Sequence, residues 1–170
     1  MPVINLNKKE FDKLLGKKLP DAMLKDRISM LGTDLDRLDE NEIDVEIFPN
    51  RPDMLSMQGF VRAMASFIGV RPGLKRFNVK KSGEKVIIHK SVKKYRPYTA
   101  CAIVKGLRFD NQRIKEVIQI QEKLHVTFGR NRRKVAIGIY PFEKINPPIT
   151  FFAEDPKKIR FQPLEFDNEI

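Results

Sequence analysis

Residues 48–70 read FPNRPDMLSMQGFVRAMASFIGV, and they decide the fold of the first half of the chain. The two prolines lock the backbone angle φ and lack an N–H group, so they prevent a strand from continuing and force a turn. We interpret Asn50, Arg51 and Asp53 as structural residues of this turn rather than as a binding loop, because their side chains are placed to close hydrogen bonds across it. Asp53 is also placed to cap the helix that follows.

That helix is predicted to begin near Met54 and to end at Gly69. Its apolar residues recur every three or four positions, which predicts one buried face. The residues of this face are Met57, Phe60, Val61, Met64, Phe67 and Ile68. Methionines at such spacing are more typical of gap-filling core residues than of a binding groove.

Four further elements are predicted before the turn, the first of them a short strand in which Ile4 and Leu6 alternate with polar neighbours. Acidic and apolar residues alternate over residues 42–47, which predicts a half-buried strand with a row of carboxylates on its outer face. One helix is predicted with Asn7 as its cap and Gly16 as its end. Asp21 is placed to cap a second helix, which Gly32 closes.

The second half of the chain shows a different order of elements. From residue 97 onward, we predict a strand, a helix, and then three more strands. The helix has its apolar stripe over 114–124, and the strands are predicted at 99–107, 135–140, 149–153 and 159–161. No covering helix follows the last strands, so we expect this unit to be truncated or completed by another chain.

The two patterns together predict an α+β fold. A small N-terminal α/β domain is predicted over residues 1–90, and it includes a connector at about residues 71–85 that Phe77 and Val79 anchor. Residues 91–170 are predicted to form the beginning of a mixed α/β domain that looks incomplete.

The chain has 170 residues and a formal net charge of +11, and this charge is concentrated in its middle. Residues 71–96 carry ten Lys and Arg against one acidic residue, whereas residues 1–70 are slightly acidic. A basic patch of this size favours a polyanionic partner, and nucleic acid is the leading class. The alternative is that the lysines only solvate the surface.

The densest basic cluster follows a helix-breaking glycine. Arg130, Arg132, Arg133 and Lys134 supply four cations within five residues, next to Phe128. Arginine binds phosphate oxygens in a bidentate manner, so we predict that these four residues contact RNA. The alternatives are a solvated turn, a subunit contact, or neutralisation by the acidic strand face described above.

We find no catalytic or metal-binding residue in the sequence. It contains no GxSxG, no P-loop and no GxGxxG motif, and its single cysteine and two histidines have no metal-ligand spacing. We therefore expect no cofactor in this chain. No apolar stretch approaches the roughly 20 residues of a membrane-spanning helix, and we expect no secretory signal and a cytoplasmic location.

Two segments resemble a known family. Residues 48–70 resemble the segment near the N-terminus of phenylalanine–tRNA ligase beta subunits in which an NRPD sequence precedes a helix. Residues 96–164 are RPYTACAIVKGLRFDNQRIKEVIQIQEKLHVTFGRNRRKVAIGIYPFEKINPPITFFAEDPKKIRFQPL. They resemble the start of the editing domain in the archaeal and eukaryal branch of that family, so the resemblance assigns residues 91–170 to the N-terminal part of an editing domain.

The resemblance implies a partner, a substrate and a role. Beta subunits of this family pair with an alpha subunit that carries aminoacylation, and the two form a heterotetramer that acts on tRNA. A pocket built for Phe poorly rejects Tyr, which adds only a hydroxyl, so the editing domain hydrolyses mischarged tyrosyl-tRNA. ATP and magnesium are implied for the whole enzyme, in regions that this chain lacks.

The chain is therefore interpreted as a non-catalytic N-terminal portion of such a beta subunit, which supplies scaffold and part of the editing domain. The editing-pocket residues of the family lie beyond position 170, so we expect the chain alone to be inactive. The alternative function is a stand-alone basic module that binds RNA or mediates assembly without enzymatic activity.

Overall fold

The computed structural model describes residues 2–163 and 166–168. The described residues divide into two compact units, the first within Met1–Phe77 and Arg108–Gly138, the second within Asn78–Leu107 and Ile139–Ile170. This division differs from a single boundary near residue 90, because the long helix after residue 110 packs with the first unit. The assignment of 1–90 and 91–170 to two domains of the family stays a prediction.

The first unit combines helices with one sheet, and the fold is α+β, as predicted. Its elements are β1 (Val3–Asn7), α1 (Lys8–Leu15), α2 (Asp21–Met30), β2 (Asp34–Leu38), β3 (Glu42–Glu46), α3 (Met57–Phe67) and α4 (Asn111–Val126), with a 3-10 turn at Pro52–Met54. None of the helices in the described residues is long and apolar enough to cross a membrane.

The sheet of this unit is antiparallel, with strand order β1-β3-β2. Alternation places Ile4 and Leu6 of β1 and Ile43 and Val45 of β3 on the buried face, where each is fully inaccessible. The strand predicted at 42–47 is confirmed. The sequence did not indicate β2, because its charged residues and a bulge after Leu35 interrupt the alternation.

Two of the predicted helix boundaries are confirmed and one is wrong. The Asn7 side chain caps α1 by accepting from the Glu10 N–H at 3.1 Å, and Gly16 ends it in the left-handed conformation. Asp21 does not cap α2: Pro20 precedes the helix and Asp21 is its first residue. The Asp21 carboxylate instead accepts from the Lys8 ammonium at 2.8 Å.

The prediction that Asp53 caps the helix after the turn at residues 50–53, which we name the NRPD turn, is also wrong. The helix α3 begins at Met57, and Ser56 caps it by accepting from the Gly59 N–H at 3.0 Å. The 3-10 turn at Pro52–Met54 intervenes, so Asp53 lies too early in the chain to reach the free amides of α3. The core buries most of the predicted α3 face, but Phe67 stays 42% exposed.

The second unit contains a small parallel sheet of β4 (Val86–Ile88) and β5 (Ile149–Phe151). The strand predicted at 149–153 is therefore confirmed for its first three residues. A 3-10 helix at Lys90–Lys94 follows β4, and its Ser91 hydroxyl accepts from the Ala153 N–H at 2.9 Å.

Three predicted strands are absent from the described residues: 99–107, 135–140 and 159–161 have no strand pairing there. A strand forms only where a neighbour offers backbone hydrogen bonds, so apolar composition alone does not produce one. The connector is also less anchored than predicted, because Phe77 and Val79 are 68% and 86% exposed.

Candidate nucleic-acid interface

The basic loop, residues 127–134, follows directly after α4 and has an unusual backbone. Arg130, Asn131 and Arg132 all have positive φ angles, of 49°, 54° and 64°. Side chains disfavour this region, so surrounding hydrogen bonds must hold the loop in place. The Arg132 N–H donates to the His125 carbonyl at 3.0 Å, and the Lys134 N–H donates to the Gly129 carbonyl at 2.8 Å.

A buried histidine connects the two ends of this loop. His125 is 4% exposed, and its Nε2 accepts from the Ile137 N–H at 2.7 Å. Gly129 lies in a tight space, where a β-carbon would come within 2.7 Å of the Val135 carbonyl oxygen. The chain therefore needs glycine here, and the loop is fixed at both of its ends.

The four predicted RNA-binding residues all lie on this loop and are exposed. Arg132 forms an ion pair with Glu122 of α4. The hydrogen bond from this guanidinium lowers the pKa of the Glu122 carboxyl. The structure thus places Arg130, Arg133 and Lys134 toward solvent, while Arg132 also fastens the loop to α4.

The NRPD turn has a compact set of internal contacts. The Arg51 guanidinium donates two hydrogen bonds to the Asp53 carboxylate, at 2.9 and 3.0 Å, and Arg62 lies 3.8 Å from the same carboxylate. The bonds from Arg51 lower the pKa of the Asp53 carboxyl. Asn50 lies in the turn and is exposed. These contacts occupy the side chains of Arg51 and Asp53 within the turn.

The first unit brings residues 48–55 and the basic loop together around one groove of about 580 Å³. Its apolar walls come from both segments, and Arg130 and Lys134 are its cations. No acidic residue is among the described residues that line it. We name it the Phe128 groove; among the residues that line it are Pro2, Phe48, Pro49, Pro52, Phe128, Arg130 and Lys134.

Sequence reasoning missed this groove. About 80 positions separate its two walls along the chain, and neither segment contains a pattern that indicates the other. Of the predicted site residues, Arg130 and Lys134 line the groove, whereas Arg132, Arg133, Asn50, Arg51 and Asp53 do not. The only advance indication was the aromatic residue Phe128 beside the cations.

Other parts of the described chain contain fewer groups that could form a catalytic or binding site. Within residues 2–163 and 166–168, no group of three or more His, Cys, Asp or Glu is arranged to hold a metal ion. Cys101 is exposed. A second groove of about 330 Å³ in the first unit is lined mainly by amide and carboxylate groups, and Gln58 donates to Glu116 there at 2.7 Å.

Comparison with known proteins gives a consistent result. The chain is 41% identical over its whole length to a phenylalanine–tRNA ligase beta subunit from Methanothrix thermoacetophila, and 40% identical to one from Archaeoglobus fulgidus. It spans about a third of the length of these curated relatives, 31% and 30%. No protein-family model matches the chain.

A solved structure agrees with the sequence comparison. An N-terminal fragment of the phenylalanyl-tRNA synthetase beta subunit from Pyrococcus horikoshii superposes with a TM-score of 0.88 at 36% identity. The match covers 99% of this chain and 50% of that fragment. The predicted resemblance is confirmed: by sequence over its whole length and by fold, the chain belongs to the family of phenylalanine–tRNA ligase beta subunits, whose N-terminal part it represents.

Proposed function

We propose that the chain acts as the non-catalytic N-terminal portion of a phenylalanine–tRNA ligase beta subunit. The observation that carries this proposal is the match to curated beta subunits over the full 170 residues, at 41% identity for the Methanothrix relative. The first unit, with its continuous core, serves as scaffold. Residues 91–170 contribute the N-terminal part of the domain that hydrolyses mischarged tyrosyl-tRNA.

In this proposal, hydrolysis and aminoacylation require parts of the enzyme outside this chain. Selecting Tyr against Phe needs a site that hydrogen-bonds the extra hydroxyl, and we assign that site to sequence beyond position 170. ATP and magnesium are likewise assigned to the whole enzyme. Within the described residues, no group of three or more His, Cys, Asp or Glu side chains is arranged to hold a metal ion.

We also propose the partners and location of the whole enzyme. The beta subunit pairs with an alpha subunit in a heterotetramer, acts on phenylalanine tRNA, and works in the cytoplasm. The similarity to named beta subunits of a tRNA ligase supports these assignments.

Within this function, Arg130, Arg132, Arg133 and Lys134 are proposed to contact tRNA phosphates. The loop presents their side chains on a fixed backbone, and cations arranged in advance lose little freedom on binding. The alternative is a stand-alone RNA-binding module, which the same basic loop would also serve.

A chimera tests the proposal against this alternative. This chain replaces the corresponding segment of the Archaeoglobus fulgidus beta subunit, which is 40% identical to it, and is co-expressed with that organism's alpha subunit. We expect an assembled enzyme that charges tRNA with Phe and deacylates tyrosyl-tRNA. The unmodified enzyme is the positive control, and the same enzyme lacking the segment is the negative control.

A folded chimera that binds RNA but neither associates with the alpha subunit nor edits would favour the stand-alone module. Separately, the chain alone is incubated with tyrosylated phenylalanine tRNA. We expect ester loss at the spontaneous rate, and faster loss would contradict the non-catalytic assignment.

A further inference from the structure

We propose that the Phe128 groove binds one unpaired nucleotide of an RNA strand. The base stacks on the Phe128 ring, and Arg130 and Lys134 hold the adjacent phosphate. This proposal rests on the RNA contact proposed above for the basic loop, and it adds a defined binding site.

The shape of the groove and the exposure of Phe128 both fit a stacked base. The groove, at about 580 Å³, falls within the range of about 300–1,000 Å³ that is typical of ligand sites. Phe128 is 60% exposed although it lines this groove. Aromatic rings on nucleic-acid-binding proteins are exposed in this way because each base stacks on them through its π face.

The charge of the groove is positive. Arg130 and Lys134 are the charged residues among those that line the groove, and no carboxylate among the described lining residues opposes them. Their backbone amides are bonded to the Thr127 and Gly129 carbonyls, at 3.0 and 2.8 Å, which fixes the origin of both side chains. Such an arrangement favours an anionic ligand and reduces the entropy lost when it binds.

The lining of the groove suits RNA better than an acidic peptide. A bound peptide needs main-chain partners for its own N–H and C=O groups. Three of the lining residues, Pro2, Pro49 and Pro52, have no N–H group to offer. A base that stacks and a phosphate that pairs with cations need no such partners. The groove is therefore better suited to a nucleotide.

The proposal also specifies the form of RNA. Bases in a duplex are already stacked on their neighbours, whereas unpaired bases are free to stack on a protein ring. We therefore expect the groove to discriminate between single-stranded and double-stranded RNA. The loop cations, which contact phosphates, are expected to bind both forms.

Fluorescence anisotropy with a labelled oligouridine and with a labelled RNA duplex tests the proposal. Phe128→Ala and Phe128→Leu should each weaken oligouridine binding by about 5- to 100-fold, and should leave duplex binding within about twofold. Phe128→Tyr keeps an aromatic ring and should retain oligouridine affinity. Phe67→Ala removes an exposed ring of α3 outside the groove and is the matched control.

A double variant, Arg130→Asn with Lys134→Gln, tests the contribution of the two cations. Asn is chosen at position 130 because it tolerates the left-handed backbone there. This variant should weaken the binding of both forms of RNA. Lys9→Gln, at an exposed position of α1 outside the groove, should weaken neither. Thermal melts confirm that each variant is folded. A photoreactive 4-thiouridine strand should cross-link to a peptide that contains Phe128.

The outcomes separate the two proposals. If the charge variant loses affinity but Phe128→Ala binds oligouridine like the wild type, the groove proposal is overturned and the loop contact stands. If neither variant loses affinity, both proposals fail. Cross-links that map only outside residues 48–55 and 127–135, or displacement of RNA by an acidic peptide with higher affinity, would also overturn the groove.

Discussion

The Nε2 atom of His125 accepts a hydrogen bond from the backbone N–H of Ile137, with 2.7 Å between the two nitrogen atoms. This bond joins the last turn of α4 to the segment that leaves the basic loop. Because Nε2 is the acceptor, the proton of the neutral ring is on Nδ1, which faces the Glu122 carboxylate at 3.4 Å. One buried side chain thus fixes both ends of the loop that carries the candidate site.

Replacing His125 with Leu should destabilise the first unit by about 1–3 kcal/mol, because the Ile137 N–H loses its acceptor in a part-buried position. Urea unfolding followed by circular dichroism measures this free energy. Gln119→Leu, at an exposed position of the same helix, should change it by less than about 0.5 kcal/mol. If the two substitutions lower the free energy of unfolding equally, the hydrogen bond from the Ile137 N–H does not contribute specifically to stability.

Gly59 packs its Cα against the Asp53 carbonyl oxygen, so a β-carbon at this position would overlap that oxygen. Gly59→Ala should therefore force α3 away from the NRPD turn and cost about 3 kcal/mol or more, at the upper end for overpacking. Denaturant midpoints of this variant and of Ser66→Ala, an exposed position of α3, make the comparison. A midpoint for Gly59→Ala like that of the control would refute the close approach.

Local patterns in the sequence predicted much of the first unit, since its decisive interactions lie close together in the chain. The cap of α1 joins residues three apart, and β3 follows a regular alternation. The cap of α3 was misassigned to Asp53, because the sequence gives no sign that a 3-10 turn delays the helix to Met57. Both Asp53 and Ser56 are good capping residues, and geometry alone selects between them.

Long-range features were not predictable in this way. The segment at 99–107 has strand-like composition, yet a strand depends on a partner that its own sequence does not specify. The Phe128 groove depends on the packing of α4, which brings residues near 128 to residues near 50. The basic cluster was visible in the sequence, whereas the apolar wall opposite it was not.

The NRPD turn should contribute stability that depends on pH. Arg51 lowers the pKa of the Asp53 carboxyl in the folded state, so this carboxyl stabilises the fold above its unfolded pKa of about 3.9. The contribution is lost as the pH falls through the lower, folded pKa. Unfolding free energies of the wild type and Asp53→Asn should therefore differ at pH 7 and converge under strongly acidic conditions.

The size of this effect should be modest, because the Asp53 and Arg51 side chains are 41% and 36% exposed and such pairs contribute about 1 kcal/mol or less. A double-mutant cycle with Arg51→Gln isolates the pair from other effects of each substitution. The difference in unfolding free energy between the wild type and Asp53→Asn should shrink as the pH falls. A difference that grows instead would contradict a lowered pKa of Asp53 in the folded state.

Limited trypsin digestion should cut first within residues 71–85. This segment is exposed throughout, has no helix or strand, and contains six Lys and Arg residues. Because α4 packs with the first unit, as Leu124 does against its core, the two fragments should still elute together in gel filtration. A first cut within α3, or immediate separation of the fragments, would contradict this arrangement.

The basic loop should dominate the salt dependence of RNA binding. Each phosphate that a cation neutralises releases condensed counterions, so the slope of log affinity against log salt falls by about 0.7 to 1 for every phosphate that is no longer neutralised. Replacing Arg130 and Arg132 with Asn and Arg133 and Lys134 with Gln should therefore flatten this slope. Titrations at several salt concentrations with phenylalanine tRNA measure it.

The matched control removes cations from the connector, with Lys80, Lys81 and Lys85 replaced by Gln, and should change the slope less. Arg132 needs separate treatment, because its ion pair with Glu122 also holds the loop on α4. A triple variant that keeps Arg132 distinguishes weaker phosphate binding from a loosened loop. If both loop variants flatten the slope and their melting temperatures match that of the wild type, the cations act directly on phosphate. If the loop variants keep the wild-type slope and instead lose association with the alpha subunit, the cluster is a subunit contact, because counterion release from tRNA then does not depend on these cations.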